Sequence, residues 1–187
     1  MRKIIIVLSC IALISCSTGS KKNWDTIIFE SLQKLEANKV LVDIEIEGKK
    51  FYPKDMPFDG RVTINEFSCL LDFKNQLAGN LGIRIEGSGW SDLESKTISF
   101  KDGLSQLDSI SGTFLIGRKL DNKNEGYVIK EGGFEIRQMN QEACIIVIHG
   151  MLQNPSNKSI TKPINGLIVW KKPLELPFNS PKKDFYF

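Results

Sequence analysis

No proline occurs between Pro57 and Pro155, and over the same stretch apolar residues recur at every second position. Proline lacks the amide proton that a strand ladder needs, so central strands exclude it. Alternation with a period of two puts one set of side chains on one face of a sheet. Together these features confine the chain to a β-rich fold. Val42, Ile44 and Ile46 alternate with Asp43, Glu45 and Glu47, as in a half-buried antiparallel strand, and Gly48 ends the run. Val62 and Ile64, then Phe67, Cys69, Leu71 and Phe73, predict one or two strands with a bulge-like parity change near Glu66. Leu81, Ile83 and Ile85 predict another strand, Ile98 and Phe100 a short one, and residues 110–116 a further one with Gly112 as a candidate bulge. Residues 121–126 read as a turn, 127–130 as the return from it, and Gly132-Gly133 as a break before a strand starting at Phe134. The apolar run 143–149 predicts a central strand, and 167–170 the last clear one. Loops are expected at 53–60 and 151–163, with a tail from Pro173. The fold class is therefore mainly β: an antiparallel β-sandwich or barrel of about eight to ten strands.

One helix precedes the strands. Trp24, Ile27, Ile28, Leu32 and Leu35 lie at helical spacing within residues 23–38. Asn23 is a good N-cap type, Asp25 suits the first turn, and Asn38 suits the position after the last. The stripe predicts a helix packed on a sheet.

The first residues read as a targeting signal. Arg2 and Lys3 precede an apolar run over 4–14. That run is too short for a hydrocarbon core that needs about 20 residues. Leu13-Ile14-Ser15-Cys16 resembles the lipobox of bacterial lipoproteins. The resemblance implies cleavage before Cys16, acylation of its thiol and its new amino group, and anchoring to a membrane through that lipid. Residues 1–15 are then a signal peptide, 16–22 a lipidated tether, and 23–187 a single β-rich domain. Ser17 stands where an Asp would retain such proteins in the inner membrane, so the resemblance implies the outer membrane, with the leaflet open. Residues 44–52, 110–114 and 132–136 are also similar to segments of small β-rich lipoproteins of Bacteroidetes. That resemblance implies an envelope location and brings no activity, cofactor or site residue.

Chemistry-bearing motifs are few. The chain has 25 Lys and Arg, 22 Asp and Glu, and one histidine. Without Arg2 and Lys3, 23 basic residues face 22 acidic ones, which gives no electrostatic reason for a nucleic-acid partner. A single histidine excludes a multi-histidine metal site, and no cofactor motif occurs. Asp121, Glu125 and Gly126 hint at a calcium loop, but Lys123 and Gly132 stand where its acids belong. His149 reads as a strand-end residue, and lies on the opposite strand face from Cys144. Asp43, Glu45 and Glu47 share a strand face and read as solvated charges.

Two features remain as candidate sites. Cys69 and Cys144 are the thiols left after lipidation, and both have inward parity. They form either a disulfide between strands or two buried thiols. The tail residues Trp170, Phe178, Phe185 and Tyr186 form either a recognition strip for an envelope protein or glycan, or a strap over a sheet edge. The expected function is a non-catalytic binding or scaffolding module at the envelope. A lipocalin-like carrier of a small apolar ligand is the first alternative. An envelope hydrolase, needing His149 beside an acid or serine in a cleft, is the second.

Overall fold

Every strand that the alternation predicts is present, and all but the short one at Ile98 and Phe100 lie in one closed wall. The structure, a computed structural model, describes residues 23–53, 56–92, 97–120, 123–173 and 175–177. After α1 (Trp24–Lys34), the chain forms β1 (Lys39–Ile46), β2 (Lys49–Lys50), β3 (Phe58–Asn65), β4 (Ser68–Asn75) and β5 (Gly79–Glu86). Then come β6 (Thr97–Lys101), β7 (Leu104–Ser105), β8 (Ser111–Leu120), β9 (Lys123–Met139), β10 (Ala143–Gln153), β11 (Thr161–Lys171) and β12 (Glu175–Pro177). The order β10-β11-β1-β3-β4-β5-β8-β9 returns to its start because β9 also pairs with β10. This is an antiparallel barrel of 8 strands with short additional strands, so the choice between sandwich and barrel resolves to a barrel.

Burial alternates as the sequence requires. Val40, Val42, Ile44 and Ile46 point inward from β1, and Cys69, Leu71 and Phe73 from β4. The parity change near Glu66 is a tight turn and not a bulge: Asn65 pairs with Ser68, and the Asn65 side chain accepts the amide of Phe67. Phe67 therefore sits on the turn, 58% exposed, and not on the inward face with Cys69. Gly112 is not bulged either. It keeps register with Ile85, and a side chain there would meet Ile98 at 2.5 Å and Phe100 at 2.9 Å.

The expected break at Gly132-Gly133 is a bend inside one strand. β9 runs 17 residues, pairing with β8 over its first part and with β6 at Gly132 to Glu135. It changes neighbour where Gly132 faces Gly150 of β10, both with positive φ. β6 and β7 thus occupy the space left where β8 and β9 part. The loop expected over 151–163 is also shorter, because Pro163 lies in β11 opposite Met151. Its carbonyl accepts the Glu47 amide, just past the last β1–β11 pair, so its missing N–H faces a side where the ladder has ended.

The interior is packed with large side chains. Trp170 reaches from β11 over Gly60 of β3 to stand edge-on to Phe73 of β4, with ring centroids 5.6 Å apart. Trp90, on a short 3-10 turn, donates its indole proton to the Asn65 carbonyl and closes one end. Phe51 and Tyr52 close the other. Outside, α1 covers an apolar strip of wall formed by Ala143, Ile145, Val147, Leu167 and Val169. Trp24, Ile27, Ile28, Leu32 and Leu35 make that contact, so the helix packs on a sheet as its stripe predicts. Asn23 caps it, accepting the Thr26 amide. No described helix is long and apolar enough to cross a membrane.

Candidate functional site

The ring has one weak junction. β10 and β11 pair from Ala143↔Lys171 to Gln153↔Thr161, but β1 and β3 meet only at Lys39↔Asp59 and Val40↔Phe58. Beyond Val40 the two strands part, and the connecting segment fills the space. β2 pairs with the end of β1, and the Phe51 amide donates to the Ile44 carbonyl. Tyr52 then turns inward, its hydroxyl 2.7 Å from the Asn80 carbonyl and 3.0 Å from that of Gly117 on the far wall. Burial pushes this phenol up from its ordinary pKa, against the Gly117 hydrogen bond and the Arg118 charge.

A cleft of about 680 Å³ opens along this seam. One flank is the side of α1 that carries Ile27 and Ser31, with Leu35 just past its end; the other is Tyr52, Pro53, Met56 and Pro57. The floor is Val40, Leu41 and Val42 of β1. Val40, Val42 and Tyr52 belong to the barrel core, whereas Ile27, Leu35 and Leu41 belong to the helix contact. The cleft therefore joins two hydrophobic clusters that the wall otherwise separates. Its size falls within the several-hundred-Å³ range of small-molecule sites. The charges on its rim pair among themselves: Lys50 with Asp43 and Glu45, and Lys34 with Glu30.

A second, smaller recess of about 210 Å³ lies at the end closed by Phe51. Arg118 and Glu125 face each other across the β8–β9 hairpin, with Nε and Nη2 donating to Oε2 at 2.7 and 2.6 Å. Arg118 also donates to the Phe51 carbonyl at 2.8 Å and lies 4.4 Å from that ring's centroid. The Tyr127 hydroxyl donates to Glu125 at 2.5 Å, and Lys162 bridges Glu125 and Glu47 at 3.8 and 3.1 Å. This network clamps the segment after β2 onto β8, β9 and β11.

Burial pulls the Glu125 carboxyl up, but the Tyr127 hydrogen bond, Arg118 and Lys162 together outweigh it and hold the pKa below the usual range. A carboxylate with a lowered folded-state pKa stabilises the fold above its unfolded pKa of about 4.3, and that stability is lost as pH falls through the lower folded value. Glu125→Gln should accordingly cost about 2 kcal/mol near neutral pH, as for a charged hydrogen bond. The gap between variant and wild type should close as urea melts are moved below about pH 4. A gap that stays constant with pH would show that the charge contributes nothing.

Apart from Cys69 and Cys144, which lie within electrostatic reach of each other in the core, the residues singled out from the sequence are scattered. Cys69 and Cys144 both point into the core as their parity predicts, and both are free thiols. Burial pushes both pKa values up, Cys144 to about 12, and the charge of Cys144 adds to the effect on Cys69. Such thiols supply almost no thiolate at neutral pH. The folded protein should resist alkylation, and both thiols should react after denaturation without reductant. A mass two daltons lower, with no reaction, would mean a bridge.

Trp170 is a correction: it is fully buried in β11, so it belongs to no exposed strip. The strand expected over 167–170 ends on Trp170, and its indole fills the space above Gly60 instead of joining the tail strip. Phe178, Phe185 and Tyr186 lie outside the described residues, as does Cys16. The nearest described part of the tail, β12, pairs parallel to β3 at Val62 to Ile64 and covers that edge. His149 is exposed on the outer face between Gly133 and Asn165, and lines neither recess. Among the described residues, no group of three or more His, Cys, Asp or Glu is placed to hold a metal ion. Comparison with protein-family models, curated proteins and solved structures finds no match for this chain.

Proposed function

We propose that this protein is a lipid-anchored, non-catalytic binding module of the bacterial cell envelope, and that it binds an apolar group in the seam cleft. The observation that carries the reading is the cleft itself: a ligand-sized recess with an apolar floor, continuous with the barrel core and rimmed by charges that already have partners. Anchoring is carried by the lipobox over 13–16, with the outer membrane as destination. The role as scaffold for an envelope protein or glycan is the same reading with a macromolecular occupant.

The closed ring of eight strands favours a second reading, a lipocalin-like carrier with its ligand in the lumen. Trp170, Phe73, Phe114 and Phe134 occupy that space, so a lumenal ligand must displace aromatic rings. The two readings differ in where the ligand sits. Cys16→Ala protein, which carries no lipid of its own, should take up one molecule of an apolar probe per chain. Met56→Lys in that background, at the cleft wall, should lose the probe with indole fluorescence unchanged. Uptake retained in Met56→Lys, with a fluorescence change on binding, would place the ligand in the lumen and overturn the cleft. Cys16→Ala should move the protein from the membrane to the soluble fraction; unchanged retention without acyl mass on the wild type would overturn the anchor.

A further inference from the structure

Helix α1 is spent unevenly. The wall beneath it is buried to 7% or less at Ala143, Ile145, Val147, Leu167 and Val169, yet no residue of the helix itself is fully buried. Part of its apolar stripe is left along the seam cleft, where Ile27 and Leu35 form one flank. That surface suits an apolar occupant.

The rim restricts what it is. Lys34 is held by Glu30, and Lys50 by Asp43 and Glu45. Among the described residues, two cations, Lys34 and Lys50, face three acids, so the rim shows no surplus positive charge for a carboxylate or phosphate. A free fatty acid or a phospholipid would bring such a group to the cleft mouth; an acyl chain linked by an ester or amide to an uncharged carrier would not. The fitting occupant is a hydrocarbon chain whose linkage is uncharged.

The chain carries a residue of that kind within reach. Six residues, 17–22, separate Cys16 from the N-cap Asn23. They span up to about 20 Å when extended. The helix, at 11 residues, is about 16 Å long. The tether is therefore long enough to run back along α1 and set Cys16 over any part of the cleft.

We propose that the seam cleft takes up one acyl chain of the lipid on the protein's own Cys16, in cis. The inference rests on the lipid-anchored reading above. The cleft shields that chain while the protein is away from a bilayer and releases it when the lipid inserts.

The test uses the full-length protein in a lipoprotein-processing host supplied with a fatty acid bearing a terminal diazirine. Protein labelled with ¹⁴N and protein labelled with ¹⁵N are mixed, moved from detergent into lipid-free buffer, irradiated and mapped by peptide mass spectrometry. The expected result is acyl mass on Cys16, with cross-links confined to copies of one isotope and to peptides carrying Ile27, Leu35, Leu41 or Met56. Met56→Lys should lower that cross-linking at least tenfold with an unchanged thermal melt. Ser31→Lys, on the opposite flank, serves if Met56→Lys melts early.

Acylated Cys16 with cross-links elsewhere on the surface overturns the inference and leaves the anchor standing. Cross-links between isotopes overturn it in favour of a second copy as occupant. A lipid co-purifying in the cleft, with no cross-link there, overturns it in favour of a free ligand. Absence of acyl mass on Cys16 overturns both the inference and the anchored reading.

Discussion

Trp170→Ala should cost about 3–5 kcal/mol in urea unfolding, the range for truncating a buried aromatic. Trp170 is fully buried, stands edge-on to Phe73, and donates its indole proton to the Asn38 side chain at 3.2 Å. Its environment also makes a paired prediction. A side chain at Gly60 would lie 2.4 Å from the indole, closer than any real carbon contact. Gly60→Ala alone should therefore cost about 1–3 kcal/mol through overpacking. In the Trp170→Ala background that clash is gone, and the added methyl enters the space left by the indole. The double mutant should be no less stable than Trp170→Ala, a coupling of at least about 1 kcal/mol. Strict additivity would mean that Gly60 is needed for its backbone and not for the indole above it.

Gly150→Ala should be of comparable severity for a different reason. Its φ of +142° lies in a region that essentially only glycine occupies, at roughly 1–3 kcal/mol for any other residue. A side chain there would also sit 2.0 Å from the Glu131 carbonyl oxygen, which is backbone and has little room to yield. Strain and clash together should cost about 3–6 kcal/mol, much of the stability of an ordinary domain. Gly132→Ala should behave similarly, with contacts of 2.3 Å to the His149 carbonyl oxygen. Gly48 supplies the control. Its φ is also positive, at +71°, but nothing lies within 4 Å of an added side chain. Gly48→Ala should cost only about 1–2 kcal/mol, the conformational penalty alone. Equal losses at Gly48 and Gly150 would rule out the clash at the bend.

These two sites also show where sequence reasoning stops. The alternation of Val42, Ile44 and Ile46, and of Cys69, Leu71 and Phe73, is legible because burial on one face leaves a local trace. The N-cap at Asn23 is legible for the same reason: cap and amide are three residues apart. Closure of the ring is not local. It depends on β9 bending at Gly132 and pairing with β10 along its length, and glycine pairs look the same in a bend as in a turn. The strand over 167–170 is legible, but the direction of Trp170 is not, since the lysine pair and proline that follow it resemble a tail whether or not the indole is buried. The seam cleft leaves no trace because α1, β1 and the segment after β2 each contribute residues that read as ordinary core. The Arg118–Glu125 pair did carry a signal. The two lie equally far from the tip of the β8–β9 hairpin, so opposite charges there face each other in register. That signal becomes usable only once the hairpin's centre is known.

Ring closure has a consequence for how copies of this domain meet. Sheets aggregate through strands whose backbone groups lack a neighbour. Among the described residues, the strands with a single pairing partner are β2, β7 and β12, and they are two, two and three residues long. Under the anchoring proposed above, the domain would meet its own copies at the density of a two-dimensional film, where edge-to-edge docking is favoured by geometry alone. A wall closed through β9 and β10, with such stubs left over and the β1–β3 seam filled by the segment after β2, leaves those copies little template to extend.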